Sequence, residues 1–148
     1  MSDSGRWQTI EHTGDLAVTM ESSSLEGLFA TAALALARLL LGEESGAWRT
    51  DADGVEGTWH EVRVESSDRT ALLVDWLREL LYLQLSEEAV ISSVEVRDLA
   101  ERRIVGRVGL TPMTEEANIE RELKAVTYHD AETTEQDGTW YARVVFDI

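Results

Sequence analysis

The chain has 148 residues with 29 acidic side chains, 12 arginines, one lysine, no cysteine and a single proline, for a formal charge of −16. That length predicts one domain spanning 1–148 with a real core, and the absence of cysteine excludes disulfides, thiolate metal sites and cysteine nucleophiles. Such a charge repels nucleic-acid phosphate, so broad nucleic-acid binding is not expected; a basic protein or a divalent cation is a suitable partner, but adaptation to high salt or a GC-rich genome is favoured over a dedicated acidic interaction surface.

The N-terminal residues lack the apolar core of a signal peptide, and Trp7 to Ile10 reads as a strand. Residues 16–22 alternate, with Leu16, Val18 and Met20 on one face of a second strand. Ser23-Ser-Leu-Glu26 has the pattern of a capping box. Leu25, Leu28, Phe29, Ala32, Ala33, Leu36, Leu39 and Leu40 then recur at helical spacing, with Gly42 as the stop. Leu28 to Leu41, the greasiest stretch, is broken by Thr31 and Arg38 and falls short of the roughly 18 apolar residues of a membrane span. A soluble cytoplasmic protein, with no membrane partner, is the expectation.

Residues 43–57 are rich in Gly, Ser, Asp and Glu and predict a loop. Thr58 to Ser66 alternates, with Val62 and Val64 inward. Ser67 or Asp68 caps a second helix, whose stripe is Leu72, Leu73, Trp76, Leu77, Leu80 and Leu81 and which closes at Glu87-Glu88. Four strands are predicted near 91–99, 102–111, 121–134 and 138–147, with Asp137-Gly138 marking a hairpin. The order fits an α+β two-layer sandwich: two amphipathic helices on a mainly antiparallel sheet, its later strands able to pair as a meander.

Three stretches look like more than core. Glu11-His-Thr-Gly-Asp15 is a polar turn that presents His12 and Asp15, although Asp commonly bonds its own backbone in turns. Lys124, the sole lysine, lies in Leu123-Lys-Ala-Val-Thr-Tyr-His129. Strand alternation there would group Lys124 with Val126 and Tyr128. A lysine offers a compact ammonium that arginine does not reproduce, yet one surviving surface lysine explains it as well. Tyr128-His129 has the makings of an acid–base pair, or of an ordered strand end. Trp140 to Ile148 is a strand pattern that places Asp147 beside the carboxylate of Ile148. With Asp15, these oxygens would make a small, partly hydrated site for a hard cation. On residues alone, a solvated acidic cluster is favoured over a metal site.

Together the stretches resemble the archease family. Its His-Thr-Ala-Asp-Ile motif is similar to His12-Thr-Gly-Asp-Leu16 here. Its Lys-Ala-Val-Thr-Tyr-His strand corresponds to Lys124–His129, its Val-Phe-Asp-Ile ending to Val145–Ile148, and its Leu-Leu-x-x-Trp-Leu helix to Leu72 through Tyr82. The resemblance implies a non-catalytic activator of the GTP- and manganese-dependent tRNA-splicing RNA ligase. That enzyme joins 3′-phosphate or 2′,3′-cyclic phosphate ends to 5′-hydroxyl ends through a guanylylated histidine. The activator is implied to promote guanylylation and multiple turnover.

It further implies a divalent-cation site, calcium by association, formed by Asp15, Asp147 and Ile148, with Lys124 required beside it. Gly14 stands where the family has Ala, and Leu110–Arg121 lacks the family's Gly-Glu-Pro-rich stretch. Two other readings stay open: a metal-dependent hydrolase or phosphotransferase using the same carboxylates, and a general chaperone-like binding module.

Overall fold

A computed structural model describes residues 4–49, 58–116 and 118–148. Strands β1 (Ser4–His12) and β2 (Asp15–Ser22) pair antiparallel around a turn at Thr13-Gly14. Gly14 has φ +80°, a left-handed conformation open to glycine without steric cost. Leu16, Val18 and Met20 are buried on one face of β2, as alternation predicts.

Helix α1 (Leu25–Leu40) follows. Its N-cap is Ser24, one residue past the predicted Ser23, with the hydroxyl accepting from the Gly27 amide at 2.9 Å. The predicted stripe is buried except for the partly buried Leu25, and so are most residues of the other faces. The predicted loop at 43–57 contains strand β3 (Ser45–Arg49), which pairs with β1; residues 50–57 lie outside the described residues. β3 lacks apolar alternation because backbone pairing holds it, and a side chain at Gly46 would collide with the Trp7 indole.

Strand β4 (Thr58–Glu65) leads to helix α2 (Arg69–Glu87), capped by Asp68, whose carboxylate accepts from the Ala71 amide at 2.8 Å. Glu88, at φ 52°, ends the helix. Strands β5 (Ala89–Ala100), β6 (Arg103–Pro112), β7 (Ala125–Gln136) and β8 (Thr139–Asp147) complete the chain. Asp137 and Gly138 both take positive φ in the β7–β8 hairpin, as the pair predicts.

The fold is α+β, with two helices on antiparallel sheets. The strands divide between a five-stranded sheet, ordered β3-β1-β2-β8-β7, and a three-stranded sheet, ordered β4-β6-β5. The β5–β6 and β7–β8 hairpins therefore belong to different sheets, and the four late strands do not form one meander. α1 touches β1, β2, β3 and β8 on one side and β5 and α2 on the other, which explains its all-round burial. The buried Trp76 indole donates to the Phe29 carbonyl at 3.1 Å and ties the helices together inside a single core cluster. Among the described residues, no helix is long and apolar enough to cross a membrane.

The lysine segment departs from its predicted geometry. β7 starts at Ala125, so Lys124 precedes the strand and its side chain does not share the buried face of Val126. Leu123 and Val126 both enter the core while Lys124 is exposed. A three-residue spacing between buried positions is irreconcilable with strict alternation, and the irregular backbone before β7 accommodates it.

Candidate functional site

Sheet pairing assembles the residues that lie far apart in sequence. β2 and β8 run antiparallel with Asp15 opposite Asp147, while Asp147 also faces Ala125 of β7, and His12 of β1 faces Asp15. His12, Asp15, Asp147 and Ala125 thus form one row across four strands. Directly opposed residues project to the same face, with Cβ atoms about 5 Å apart. The next row, Leu16 and Phe146, is fully buried, so alternation turns both carboxylates to the face away from the core. Asp15 is half-buried and Asp147 exposed.

Two backbone bonds close the arrangement. The Lys124 amide donates to the Asp147 carbonyl at 2.8 Å, and the Ile148 amide donates to the Gly14 carbonyl at 3.3 Å. The first places the sole lysine beside the second carboxylate position. The second fastens Ile148 to the turn that carries Asp15. Lys124, Asp15, Asp147 and Ile148 are therefore brought together, and His12 stands at the edge of the same row.

The donor set is chemically suited to a hard cation. Two side-chain carboxylates face one another on one surface, and the Ile148 amide bond to Gly14 holds the last residue beside them. Unscreened, opposed carboxylates repel, so a cation between them relieves a cost built into the register. Among the described residues, no three His, Cys, Asp or Glu side chains stand together as a metal cluster. A third protein ligand would have to come from the main chain or Ile148.

A further group of side chains holds the lysine segment from behind. Arg78 of α2 donates to the Val126 carbonyl at 2.9 Å and stacks 4.1 Å above the Tyr128 ring. The Tyr128 hydroxyl donates to Asp75, whose other oxygen accepts from Ser66 at 2.7 Å. The bond to Asp75, aided by partial burial, holds the Tyr128 phenol above its usual range. Tyr128 and His129 are consequently not paired: His129 lies 3.2 Å from Asp130 and is solvent-exposed. Sequence reading missed Asp75 and Arg78. Their only signal is the helical i, i+3 spacing of two charged residues beside the apolar stripe.

Between Thr127 and Glu132 the β7–β8 register shifts, and four residues of β7 stand opposite one of β8. Asp130 takes φ 56° within this bulge. The bulge separates the regular hairpin from the short stretch of β7 that meets Asp147, and α2 grips that stretch at Val126.

A profile of the Archease protein family matches residues 7–148. The archease of Methanosarcina mazei is 32% identical over 154 residues, with 99% of each chain covered. That of Thermococcus gammatolerans is 34% identical over 149 residues, covering 97% of this chain and 99% of the relative. Among solved structures, the solution structure of Methanobacterium thermoautotrophicum protein 1598 superposes with a TM-score of 0.71 at 28% identity, covering 96% of this chain and 98% of that one.

Proposed function

The chain belongs to the archease family, and from that premise we propose that it is a non-catalytic activator of the GTP- and manganese-dependent tRNA-splicing RNA ligase. It would promote guanylylation of the ligase and let each ligase molecule turn over repeatedly, in the cytoplasm. The observation that carries the reading is the convergence of Lys124, Asp15 and Asp147 at the joined ends of β2, β7 and β8.

In this reading Asp15, Asp147 and Ile148 hold a divalent cation, calcium by preference. The cation would supply positive charge that neutralises the opposed carboxylates and attracts phosphate. Lys124 adds a mobile ammonium on a flexible stem, suited to meeting a nucleotide phosphate or a carboxylate of the ligase. Strand ends fix the positions of the acids, and the bond from Lys124 to the Asp147 carbonyl fixes the root of the lysine. His12, opposite Asp15, lies close enough in register to adjust the carboxylate's surroundings. No residue in the row is placed as a nucleophile with its own base, which supports action through the partner enzyme.

The test is multiple-turnover joining of RNA ends by the cognate ligase with GTP and manganese, with this protein at a substoichiometric dose. More turnovers per ligase are expected, together with faster guanylylation. Lys124→Ala, Asp15→Ala and Asp147→Ala should each remove most of the stimulation while the variants remain folded. Wild-type stimulation by all three would overturn the site assignment. Phosphate release from model substrates by the protein alone would favour a metal-dependent hydrolase instead. Unselective binding of unfolded clients, indifferent to Lys124→Ala, would favour a chaperone.

A further inference from the structure

Away from the carboxylate row, the surface running from α2 to residues 113–116 and 118–119 is apolar at its centre. Tyr82, Leu85 and Ile119 are 69%, 43% and 38% exposed, high for side chains of this size. Leu85 and Ile119 line one groove of about 710 Å3, together with Pro112 and Met113. Helical spacing puts Arg78, Tyr82 and Leu85 on one stripe of α2. Arg78 stacks on Tyr128, itself half exposed, so the stripe leads from the groove toward the start of β7 and Lys124.

The rim decides what can sit there. Glu87, Glu88 and Glu115 line the same groove, and among the described residues no lysine or arginine does. With a formal charge of −16 behind it, this rim repels nucleic-acid phosphate and anionic lipid. It also repels a second copy of the chain, which would bring the same acids to the contact. What fits is a basic protein surface that inserts an apolar side chain between Leu85 and Ile119 while its arginines or lysines meet the glutamates. An enzyme that handles RNA ends needs such basic surface for its own substrate.

We infer that this groove is a docking surface for the RNA ligase, receiving an apolar anchor flanked by basic residues. The inference rests on the proposed function and extends it: the groove supplies affinity, and the lysine and carboxylate row supplies the effect. The two contributions separate because Leu85 and Ile119 lie outside that row.

The experiment measures ligase affinity by calorimetry beside the dose dependence of stimulated joining, for wild type, Leu85→Glu, Ile119→Glu and Lys124→Ala. Leu85 and Ile119 are exposed, so melting temperatures should stay in place, and this is checked first. Leu85→Glu and Ile119→Glu should each weaken affinity at least tenfold and raise the half-maximal dose by the same factor, with turnovers at saturation retained. Lys124→Ala should do the reverse, lowering saturating turnover while weakening affinity much less than either groove variant. The paired substitution Glu87→Lys with Glu115→Lys should flatten the salt dependence of binding. Wild-type affinity in both groove variants would overturn the inference. Wild-type protein that binds the ligase without stimulating it would overturn the proposed function, and the groove variants would still decide the docking surface. Absence of binding would overturn both.

Discussion

Asp15 and Asp147 face one another across a strand pair that buries Leu16 and Phe146 directly beneath, so the fold presses two like charges together. Like charges in opposed positions destabilise a sheet by a few tenths of a kcal/mol to about 1 kcal/mol. Without a cation, Asp15→Asn should therefore melt higher than wild type in the presence of a chelator. Calcium should raise the melting temperature of wild type, by the equivalent of about 2.7 kcal/mol at a hundredfold excess over its dissociation constant, and should leave the variant unmoved. Differential scanning calorimetry reads both arms. A wild-type transition indifferent to calcium would reject the cation site. Tyr128 gives a second test at this scale. Its raised pKa means the bond to Asp75 stabilises fully below the unfolded tyrosine range near 10, and that contribution is lost as pH rises through the higher folded value. Asp75→Asn should move the Tyr128 ultraviolet titration back toward the ordinary range, and Tyr128→Phe should remove the corresponding alkaline loss of stability.

At the scale of elements, α2 is fastened at both ends by single side chains. Asp68 accepts from the Ala71 amide, and Asp68→Ala should cost about 1 kcal/mol in a denaturant titration. At the other end Gln84 is fully buried, donating to the Leu80 carbonyl at 3.1 Å and accepting from the Ile91 amide at 3.0 Å. Gln84→Leu fills the space yet leaves the Ile91 amide without its partner, a loss of about 1–3 kcal/mol with α2 and β5 opening together in hydrogen exchange. The helices were legible because their signals are local: the stripes of α1 and α2, the cap at Asp68 and the stop at Gly42 all act within a turn or two. β3 was not, since its place depends on pairing with β1 and on Gly46 lying against Trp7, contacts that no alternation announces. The break at Lys124 was hidden for a related reason. Leu123 and Val126 both seek the core, and only the bond from the Lys124 amide to Asp147 reveals where regular pairing begins. Residues of the carboxylate row could be picked from the sequence, but their convergence is a property of the β2–β8 register, set between residues 132 positions apart.

For the whole molecule, the excess of 29 acids over 13 basic residues sets two opposing dependences on salt. The described arginines are largely spent in local pairs, such as Arg107 with Glu95 at 2.8 Å and Arg121 with Glu11 at 2.8 Å. Exposed pairs of this kind contribute little each, and salt weakens them. The unpaired remainder repels itself, which opposes the compact state. Because the repulsion is summed over a net −16 while the pairs are few, screening should on balance stabilise the fold. The melting temperature should rise between about 0.01 M and 0.5 M sodium chloride, as the Debye length falls from about 30 Å toward a few ångströms. Over the same range, binding to a basic partner should weaken, since the charge that destabilises the free protein is what attracts that partner. Thermal scans and binding isotherms in matched buffers read the two slopes. A melting temperature that fell with salt would mean that the ion pairs, rather than the net charge, govern the surface. The acidity would then be a solvated and internally balanced coat, and the proposed attraction of the −16 chain to a basic partner would lose its long-range support.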